Sequence, residues 1–485
     1  MRLPMVSPRI VPRAEHILSR RDIDPDALKV LNRLRQFDHA AYLVGGGVRD
    51  VLLGRRPKDF DIGTSAHPYE VKRLFRNCWI VGRRFRLAHV KFGTKTIEVA
   101  TFRRQVSEEE LEAIALERAQ EEAVRAAAQE DGADADDEGA PPAEAVEAPP
   151  RRQGRDRRRQ GGDHEHLHRD NTFGTPEEDA FRRDFTVNAL FYDIATLSII
   201  DYVGGLEDLK ARVIRCIGDP DVRFHEDPVR MLRAIVLAAR LDFRVDPPIA
   251  DAIRRMAPEI ARAAPARLIE EIYKILRSGA AERAFRDLAD VGLLEHMAPE
   301  LLRIDDEGLW EFLGGLDEYR LRFESTPEWL TNPVLLGSLL VPRGFTGRRP
   351  FRLERSDREV DAETPGDRRR REREEWRDPK ATLGVLPVPR RDVERLRQIL
   401  SLQRRILDME SSPRAKRALL TRGPFAEALT WLEIHGHAPE IVEHWRGFIE
   451  AAGVVPVADD VPERAAPADG LPRKRRRRGR RRRRE

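Results

Sequence analysis

The chain has 485 residues, 40% of them hydrophobic, with 88 Lys and Arg against 84 Asp and Glu and a formal net charge of +4. That length allows roughly three domains of about 150 residues, enough to bury a sizeable core. Only two cysteines, Cys78 and Cys216, are present, far apart and without metal-ligand spacing, which excludes a disulfide framework and fits a reducing compartment. No apolar run approaches the ~20 residues of a membrane span and the N-terminus lacks a signal-peptide core, so a cytoplasmic location is expected.

The charge is unevenly placed. Eleven of the twelve residues 473–484 are Arg or Lys and Glu485 follows, so the tail carries +10 and residues 1–472 sum to −6. Such a tail calls for an acidic partner. Arginine repeats without interleaved aromatics, including Arg473, Lys474 and Arg475, offer charge to nucleic-acid phosphates but no stacking platform.

Residues 1–22 are basic and contain proline, and read as an extended arm. Leu28, Val30, Leu31 and Leu34 then mark a helix leading to a short apolar strand, Tyr42–Val44. Gly45, Gly46 and Gly47 follow, where a backbone without Cβ turns sharply and lies close to a ligand. Val48–Leu53 has helical spacing, and Gly54 is placed to end the helix in a left-handed conformation. A glycine loop entering a helix N-terminus favours polyphosphate, and Arg49 sits in the first turn.

Asp59-Phe60-Asp61 comes next. On an extended segment side chains two apart share a face, so Asp59 and Asp61 point together while Phe60 faces the core. A carboxylate pair of this kind suits a two-Mg²⁺ site, with ions roughly 3.5–4 Å apart, as in nucleotidyl transfer. The same residues also read as a solvated loop or a helix cap. Pro68, Val71, Leu74 and Phe75 mark a helix, and residues 89–93 and 96–103 alternate as strands, the second carrying Glu98. Glu98 either completes the metal site or is a charged strand-edge residue.

From about 106 to 169 the composition turns to Ala, Glu, Asp and Pro and then Arg, Gln and Gly, which predicts a disordered insertion with at most a charged helix near 107–129. The tract Asp163-His-Glu-His-Leu-His168 invites a metal reading, but low-complexity flanks and the lack of a second ligand cluster favour none. Order returns at Asn171–Asp193, where Phe185, Val187 and Leu190 predict a strand or a packed helix. Arg182, Arg183 and Asp184 just before them read alone as a surface ion-pair cluster. Asp227-Pro228 is a helix-start signal, with Asp227 the cap and Pro228 at the first helical position. In that helix Arg230, Arg233 and Arg240 share a face, and Ile235, Val236 and Ala239 lie toward the core. Amphipathic helices follow, for example Leu268–Leu276 and Ala284–Leu294, with turns at Gly279 and Gly292, then a charged stretch 343–380 and helical periodicity over Val388–Leu407 and Lys416–Ala452. No histidine–aspartate hydrolase cluster appears in the C-terminal half.

Gly45–Asp50 followed by Asp59–Asp61, the run Glu178–Leu190 (EDAFRRDFTVNAL) and Glu226-Asp-Pro-Val-Arg230 with Arg233 resemble the signature motifs of the polymerase-beta-type nucleotidyltransferase superfamily, in its branch of tRNA CCA-adding enzymes and bacterial poly(A) polymerases. Ile80–Val90 (IVGRRFRLAHV), with Arg83, Arg84 and Arg86 around Phe85, resembles the poly(A) polymerases more than the CCA-adding enzymes, and physically offers three cations for RNA phosphates or the base pocket. The resemblance implies an α/β nucleotidyltransferase head with a mixed sheet, followed by an all-α neck, body and C-terminal region. The boundaries expected are an arm at 1–22, a head at 23–200, a neck at 201–265, a body at 266–342, a linker at 343–380, a C-terminal RNA-binding region at 381–455 and a basic tail at 456–485. It further implies Asp59, Asp61 and Asp184 as catalytic carboxylates, and nucleotide contacts from Gly46, Gly47, Arg49, Arg183, Asp227, Arg230 and Arg233, with Asp227 and Arg230 facing the base. The implied reaction is transfer of AMP from ATP to RNA 3′ ends with Mg²⁺. CCA addition to tRNA and a non-catalytic RNA-binding adaptor are the alternatives.

Overall fold

The structure, a computed structural model, describes residues 7–82, 86–104, 172–304, 306–346 and 381–453. Arg83, Arg84, the insertion with its possible helix at 107–129 and its Asp163–His168 tract, most of the stretch 343–380, and the tail with Arg473, Lys474 and Arg475 lie outside the described residues. Two compact units are present, one of Met1–Thr326 with Thr382–Val388 and the other of Pro327–Ala381 with Pro389–Glu485.

The first unit is built on eight strands: β1 (Arg9–Val11), β2 (Ala41–Val44), β3 (Asp61–Thr64), β4 (Cys78–Val81), β5 (Leu87–Phe92), β6 (Lys95–Thr101), β7 (Leu190–Asp193) and β8 (Ser198–Asp201). They form one mixed sheet in the order β1-β8-β7-β2-β3-β6-β5-β4. All neighbours are antiparallel except β3 and β6, which run parallel with Ile62 opposite Val99. That parallel pair is what brings Asp61, at the start of β3, beside Glu98. The arm expected at 1–22 is tied down in part, since Arg9–Val11 is an edge strand paired with β8.

One face of the sheet is covered by helices α1 (Pro25–Gln36) and α3 (Pro68–Leu74). Of the apolar positions that mark them, Val30, Leu31, Leu34, Val71 and Phe75 are buried, whereas Leu28 and Leu74 are half-buried and Ala27 takes a core position instead. On the other face the described residues close the centre. There Val44, Phe102, Phe191, Ala189 and Ile217 form a cluster with Ala180 of helix α4 (Pro176–Arg182). Both cysteines are buried free thiols, and burial pushes Cys216 up to about 11.

Helix α2 (Gly46–Leu52) joins β2 to the segment ahead of β3, and Gly54 ends this connection at φ +69°, the left-handed turn expected. Leu190 begins β7, the returning strand expected, whereas Phe185–Ala189 departs from expectation. It is neither strand nor α-helix but a 3₁₀ turn over Thr186–Asn188 that precedes β7. Its reason lies in the next helix, α5 (Gly205–Ala211). A Cβ on Gly205 would sit 2.3 Å from the Thr186 carbonyl oxygen, so the helix backbone presses against the turn. The Thr186 hydroxyl also donates to buried Asp208 at 2.7 Å. Asp201 caps the entry to α5 by accepting from the amides of Val203, Gly204, Gly205 and Leu206.

Beyond the sheet come helix α6 (Pro220–Glu226) and helix α7 (Val229–Leu241), where Asp227 Oδ1 accepts from the Val229 amide at 3.3 Å. The helix-start signal is real, with the helix beginning one residue later than expected. Strand β9 (Val213–Ile214) pairs in parallel with β10 (Arg244–Val245). Helices α8 (Pro247–Met256), α9 (Pro265–Leu276), α10 (Ala281–Asp290), α11 (Leu293–Met297) and α12 (Asp306–Leu321) complete the unit. Gly292, at φ +79°, is the turn expected there and separates α10 from α11, so Leu293 and Leu294 open a new helix.

The second unit contains α13 (Asn332–Leu340), α14 (Arg390–Ile406), α15 (Pro413–Leu420), α16 (Phe425–His435) and α17 (Pro439–Ala452). A Cβ on Gly337 would lie 2.3 Å from the Trp431 ring, which fixes how closely α13 and α16 approach. Trp445 is fully buried and donates its indole N–H to the Ile406 carbonyl at 2.9 Å.

Gly205→Ala is expected to destabilise the first unit by about 2 kcal/mol or more, because the added methyl meets backbone that cannot yield. Urea unfolding of parent and variant measures it, and an unchanged midpoint would show that the turn is not held by this packing.

Candidate nucleotide-binding cleft

A cleft of about 1810 Å³ opens in the first unit between the end of the sheet and helices α6, α7 and α9. Val44, Gly45, Gly46, Arg49, Asp61 and Glu98 line its sheet side, and Arg230, Arg233, Arg240, Arg267 and Lys274 line the helical side. Asp61 and Glu98 therefore face the arginines of α7 across a single space whose lining also includes Arg49 and Arg183 on the sheet side and Glu226, Asp227, Glu270 and Glu271 on the helical side.

Two glycines are required on the sheet side. Gly45 has φ +71° and lies over Arg183, whose Nη1 would be 3.2 Å from an added Cβ. Gly47 lets α2 approach the carboxylate segment, since its Cβ would stand 3.3 Å from the Asp59 carbonyl and 3.4 Å from the Phe60 ring. Phe60 is thus half-buried against α2. Only Asp61 of the pair belongs to a strand; Asp59 and Phe60 precede it.

Asp61 keeps solvent contact at the cleft yet is surrounded by protein on most sides. Burial, then the negative charge of Glu98, pushes its carboxyl up to about 6; Arg183 pulls it down and Asp59 raises it further. Glu98, the strand-edge carboxylate of the sequence, is therefore electrostatically part of the Asp59–Asp61 group. Its partner on β5 is His89, whose Nε2 is 3.5 Å away. Among the described residues no group of three or more His, Cys, Asp and Glu is close enough to hold a metal.

Asp184 is bound into a different set. Its Oδ1 accepts from the Phe185 amide at 2.8 Å and from Asn188 Nδ2 at 3.1 Å, and its Oδ2 stands 2.7 Å from Arg233 Nη2. Burial alone would raise its pKa, but the Arg233 guanidinium and these hydrogen bonds hold it below the usual carboxylate range. The structure thus joins Asp184 to α7 and does not group it with Asp59 and Asp61.

Asn188 is a site residue to which the sequence alone assigns no role. Its amide oxygen accepts from Arg49 Nη1 while its NH₂ donates to Asp184. Arg49 is buried and also pairs with Asp50 at 2.7 Å. The result is a continuous chain, Asp50–Arg49–Asn188–Asp184–Arg233, running from the glycine-loop helix to α7. Arg223 is a second such residue: buried, it donates to the carbonyls of Arg182 and Arg183 at 2.6 Å each and pairs with Glu226 at 3.0 Å. Asn188 lies within the run Glu178–Leu190, but what gives each its place is a partner distant in sequence, Arg49 for Asn188 and the Arg182 and Arg183 carbonyls for Arg223.

Arg183 bonds Asp179 through Nε at 3.1 Å and Nη2 at 2.9 Å, and the Asn188 carbonyl through Nη1 at 3.2 Å. Asp179 is held ionised by Arg183 and Arg182 against the cost of its burial. Arg230 reaches Glu226 at 2.7 Å and the Arg223 carbonyl at 3.0 Å. Asp227 is forked by Arg267 of α9 at 2.9 and 2.8 Å, a partner 40 residues away. The arginine face of α7 is as expected, with one correction: Val236 is only half-buried and lines the cleft, since spacings of three and four from Arg233 and Arg240 put it on the same face. Arg55 strengthens this assembly from the sheet side, donating to the carbonyls of Arg240 at 3.0 Å and Leu241 at 3.2 Å at the end of α7. Arg86 is exposed and lies over the Tyr69 ring, 5.9 Å from its centroid, and is not part of the cleft wall.

With this geometry in place, the similarities of the chain to known proteins are specific. Residues 41–215 match a family model described as the poly A polymerase head domain, residues 242–304 one described as "Probable RNA and SrmB- binding site of polymerase A", and residues 380–484 the polymerase A arginine-rich C-terminus. Poly(A) polymerase I of Salmonella typhi is 44% identical over 294 residues, 61% of this chain and 54% of that protein. The CCA-adding enzyme of Bacillus licheniformis is 31% identical over 276 residues, 57% of this chain and 56% of that one. A crystal structure of the Bacillus stearothermophilus CCA-adding enzyme in complex with CTP shares the fold, with a TM-score of 0.54 and 24% identity over 89% of this chain and 84% of that one. Residues 41–215 thus match the poly A polymerase head domain, and bacterial poly(A) polymerase I is among the relatives to which the chain is similar. The chain spans about half the length of the curated relatives it matches.

An acid whose folded pKa lies above its ordinary 3.8 keeps its proton longer in the folded chain, so ionisation of Asp61 opposes folding as pH rises from about 4 through about 6. In metal-free protein Asp61→Asn is expected to raise Tm relative to the parent. The difference should be absent below about pH 4, grow through about pH 6 and stay constant above it; thermal unfolding across pH, with chelator present, tests this.

Proposed function

We propose that the chain transfers AMP from ATP to RNA 3′ ends without a template. The observation that supports this reading is the opposition of the Asp61–Glu98 wall to the arginine face of α7 across one cleft. In the reaction the RNA 3′-oxygen bonds to the α-phosphorus of ATP, the bond from that phosphorus to the pyrophosphate bridging oxygen breaks, and pyrophosphate leaves as the hydroxyl proton is lost.

Asp59 and Asp61 fit magnesium. They offer only oxygen donors, and Mg²⁺ is commonly held by one or two carboxylates together with substrate phosphates. Burial first, and then the charge of Glu98, raise the Asp61 carboxyl, and a divalent cation beside it would favour its ionised form. When bound, the ions activate the attacking oxygen and neutralise charge on the leaving pyrophosphate. Asp184 acts in this reading through Arg233 and Asn188, fixing α7 against the glycine loop. Arg183 uses three of its five N–H donors on Asp179 and Asn188. The other two serve the triphosphate, together with Arg49, Arg230, Arg233 and the backbone at Gly46 and Gly47. Asp227 and Arg230 face the base, with Asp227 held in place by Arg267. Catalysis on this account is mainly positioning and charge neutralisation.

The choice of ATP over CTP rests on the greater identity to proteins named poly(A) polymerase I than to CCA-adding enzymes. Asp59→Ala and Asp61→Ala are expected to lower incorporation by about a thousandfold or more while leaving the fold intact. The assay offers ATP and CTP together to unstructured RNA and to tRNA lacking its CCA end. Long A-only products on unstructured RNA support the proposal, and addition confined to tRNA identifies a CCA-adding enzyme instead.

The arginine tail in this reading grips RNA phosphates without reading sequence. Truncation after Leu471 is expected to weaken RNA binding and flatten its salt dependence, by up to about 0.7 in log–log slope for each single-strand phosphate that the tail no longer neutralises. An unchanged slope in a binding titration from low to high salt would remove the tail from the RNA path.

A further inference from the structure

Among the described residues, the cleft-side face of the sheet is covered at its centre and bare at one side. Cross-strand register places Asp61 beside Glu98, Glu98 opposite His89, and His89 opposite Trp79, so these four share one row across β3, β6, β5 and β4. The adjoining row holds Ala100, Leu87 and Val81, and both Ala100 and Leu87 line the cleft. At the outer end Trp79 is 52% exposed and Val81 46% exposed. Lys91, two residues from His89 on the same face, has its ammonium 5.3 Å from the centroid of the Trp79 ring. The row continues the cleft floor from the carboxylates to the free edge of the sheet, three strand spacings or about 14 Å away.

We propose that this bare face is the track for the single-stranded RNA behind the reacting 3′ end, with a base stacked on Trp79 and Lys91 at its phosphate. The inference rests on the reading of the cleft as a 3′-end nucleotidyltransferase site. RNA whose 3′ end reaches Asp61 must leave the cleft over a surface continuous with it, and this one is continuous. An exposed indole beside an ammonium matches a nucleotide in chemistry, since base–aromatic stacking tolerates any base and the cation meets the phosphate. A purely apolar partner surface would have no use for Lys91. The half-exposed Leu87 and Ala100 between them give ribose and base edges a flat apolar floor.

The test uses the full chain and the variants Trp79→Ala, Trp79→Phe and Lys91→Gln, with thermal unfolding to confirm that each is folded. Fluorescence anisotropy compares a short oligoadenylate that ends within the cleft with a long one that crosses the sheet. Trp79→Ala is expected to weaken the long oligonucleotide at least about fivefold and leave the short one unchanged. Trp79→Phe should recover most of the loss, and Lys91→Gln, at an exposed position that the fold does not need, should reduce the salt slope for the long oligonucleotide alone. Equal affinity of parent and Trp79→Ala for the long oligonucleotide overturns the track and assigns the patch to a protein partner; equal weakening of both oligonucleotides overturns it as well. AMP incorporation onto the short oligonucleotide by the unmodified chain is scored separately, so that its absence counts against the reaction and not against the track.

Discussion

The chain of polar contacts from Asp50 through Arg49, Asn188 and Asp184 to Arg233 is the interaction on which the cleft depends. It lies largely out of water and links elements separated by more than a hundred residues of sequence. Buried charges are tolerated only when paired and hydrogen-bonded. Each member of the chain supplies what its neighbour needs: Asn188 has one acceptor and one donor end, and spends the first on a cation and the second on an anion. An apolar substitute at this position leaves both a guanidinium and a carboxylate short of a partner. The network therefore selects one arrangement of glycine loop, 3₁₀ turn and helix α7, and the packing of Gly205 against the turn enforces the same arrangement from the other side.

Electrostatics divide the cleft into two regimes. Asp184 is kept ionised because Arg233 faces it, whereas Asp61 is raised because burial and Glu98 act together. Two aspartates of one cleft are thus driven in opposite directions, and the difference follows from their partners alone. A carboxylate already paired with arginine has little left to offer a divalent ion; one crowded by other carboxylates gains most from it. This is the physical ground for treating Asp61 as a metal ligand and Asp184 as a residue that acts through others.

Local pattern carries much of the architecture. The left-handed Gly54 and the arginine face of α7 are legible because backbone conformation and helical period are set within a few residues, whereas the strand alternation expected of Asp59–Asp61 reaches only Asp61, since Asp59 precedes β3. Glu98 is legible as a strand residue, but its place beside Asp61 is only one of two alternatives in the sequence, since β4 and β5 intervene before β6 pairs in parallel with β3. Phe185–Ala189, just before β7, misleads for a related reason: Phe185 and Val187 are buried as expected, yet the backbone turns because Gly205 and Asp208 hold Thr186 from a later helix. Asn188 lies within the run Glu178–Leu190 without a role assigned to it there, and Arg223, Arg55 and Arg267 have no sequence signature of their own, because what defines each is a partner reached only through the fold. Val236 reads as a core residue and faces the cleft, a case where an apolar residue on a charged face is invisible to polarity alone.

Arg55 gives helix α7 a second anchorage, at its C-terminal carbonyls, to add to the one Arg233 makes with Asp184. A helix pinned at two points acts as a ruler. From Arg233 to Leu241 the axial rise is about 12 Å, and every residue between them has its azimuth fixed at about 100° per step. The calibre of the cleft is therefore written in the residue count of α7: inserting or removing one residue between the anchors shifts Arg240 by about 1.5 Å and turns it off the shared face, even with every side chain of the site retained.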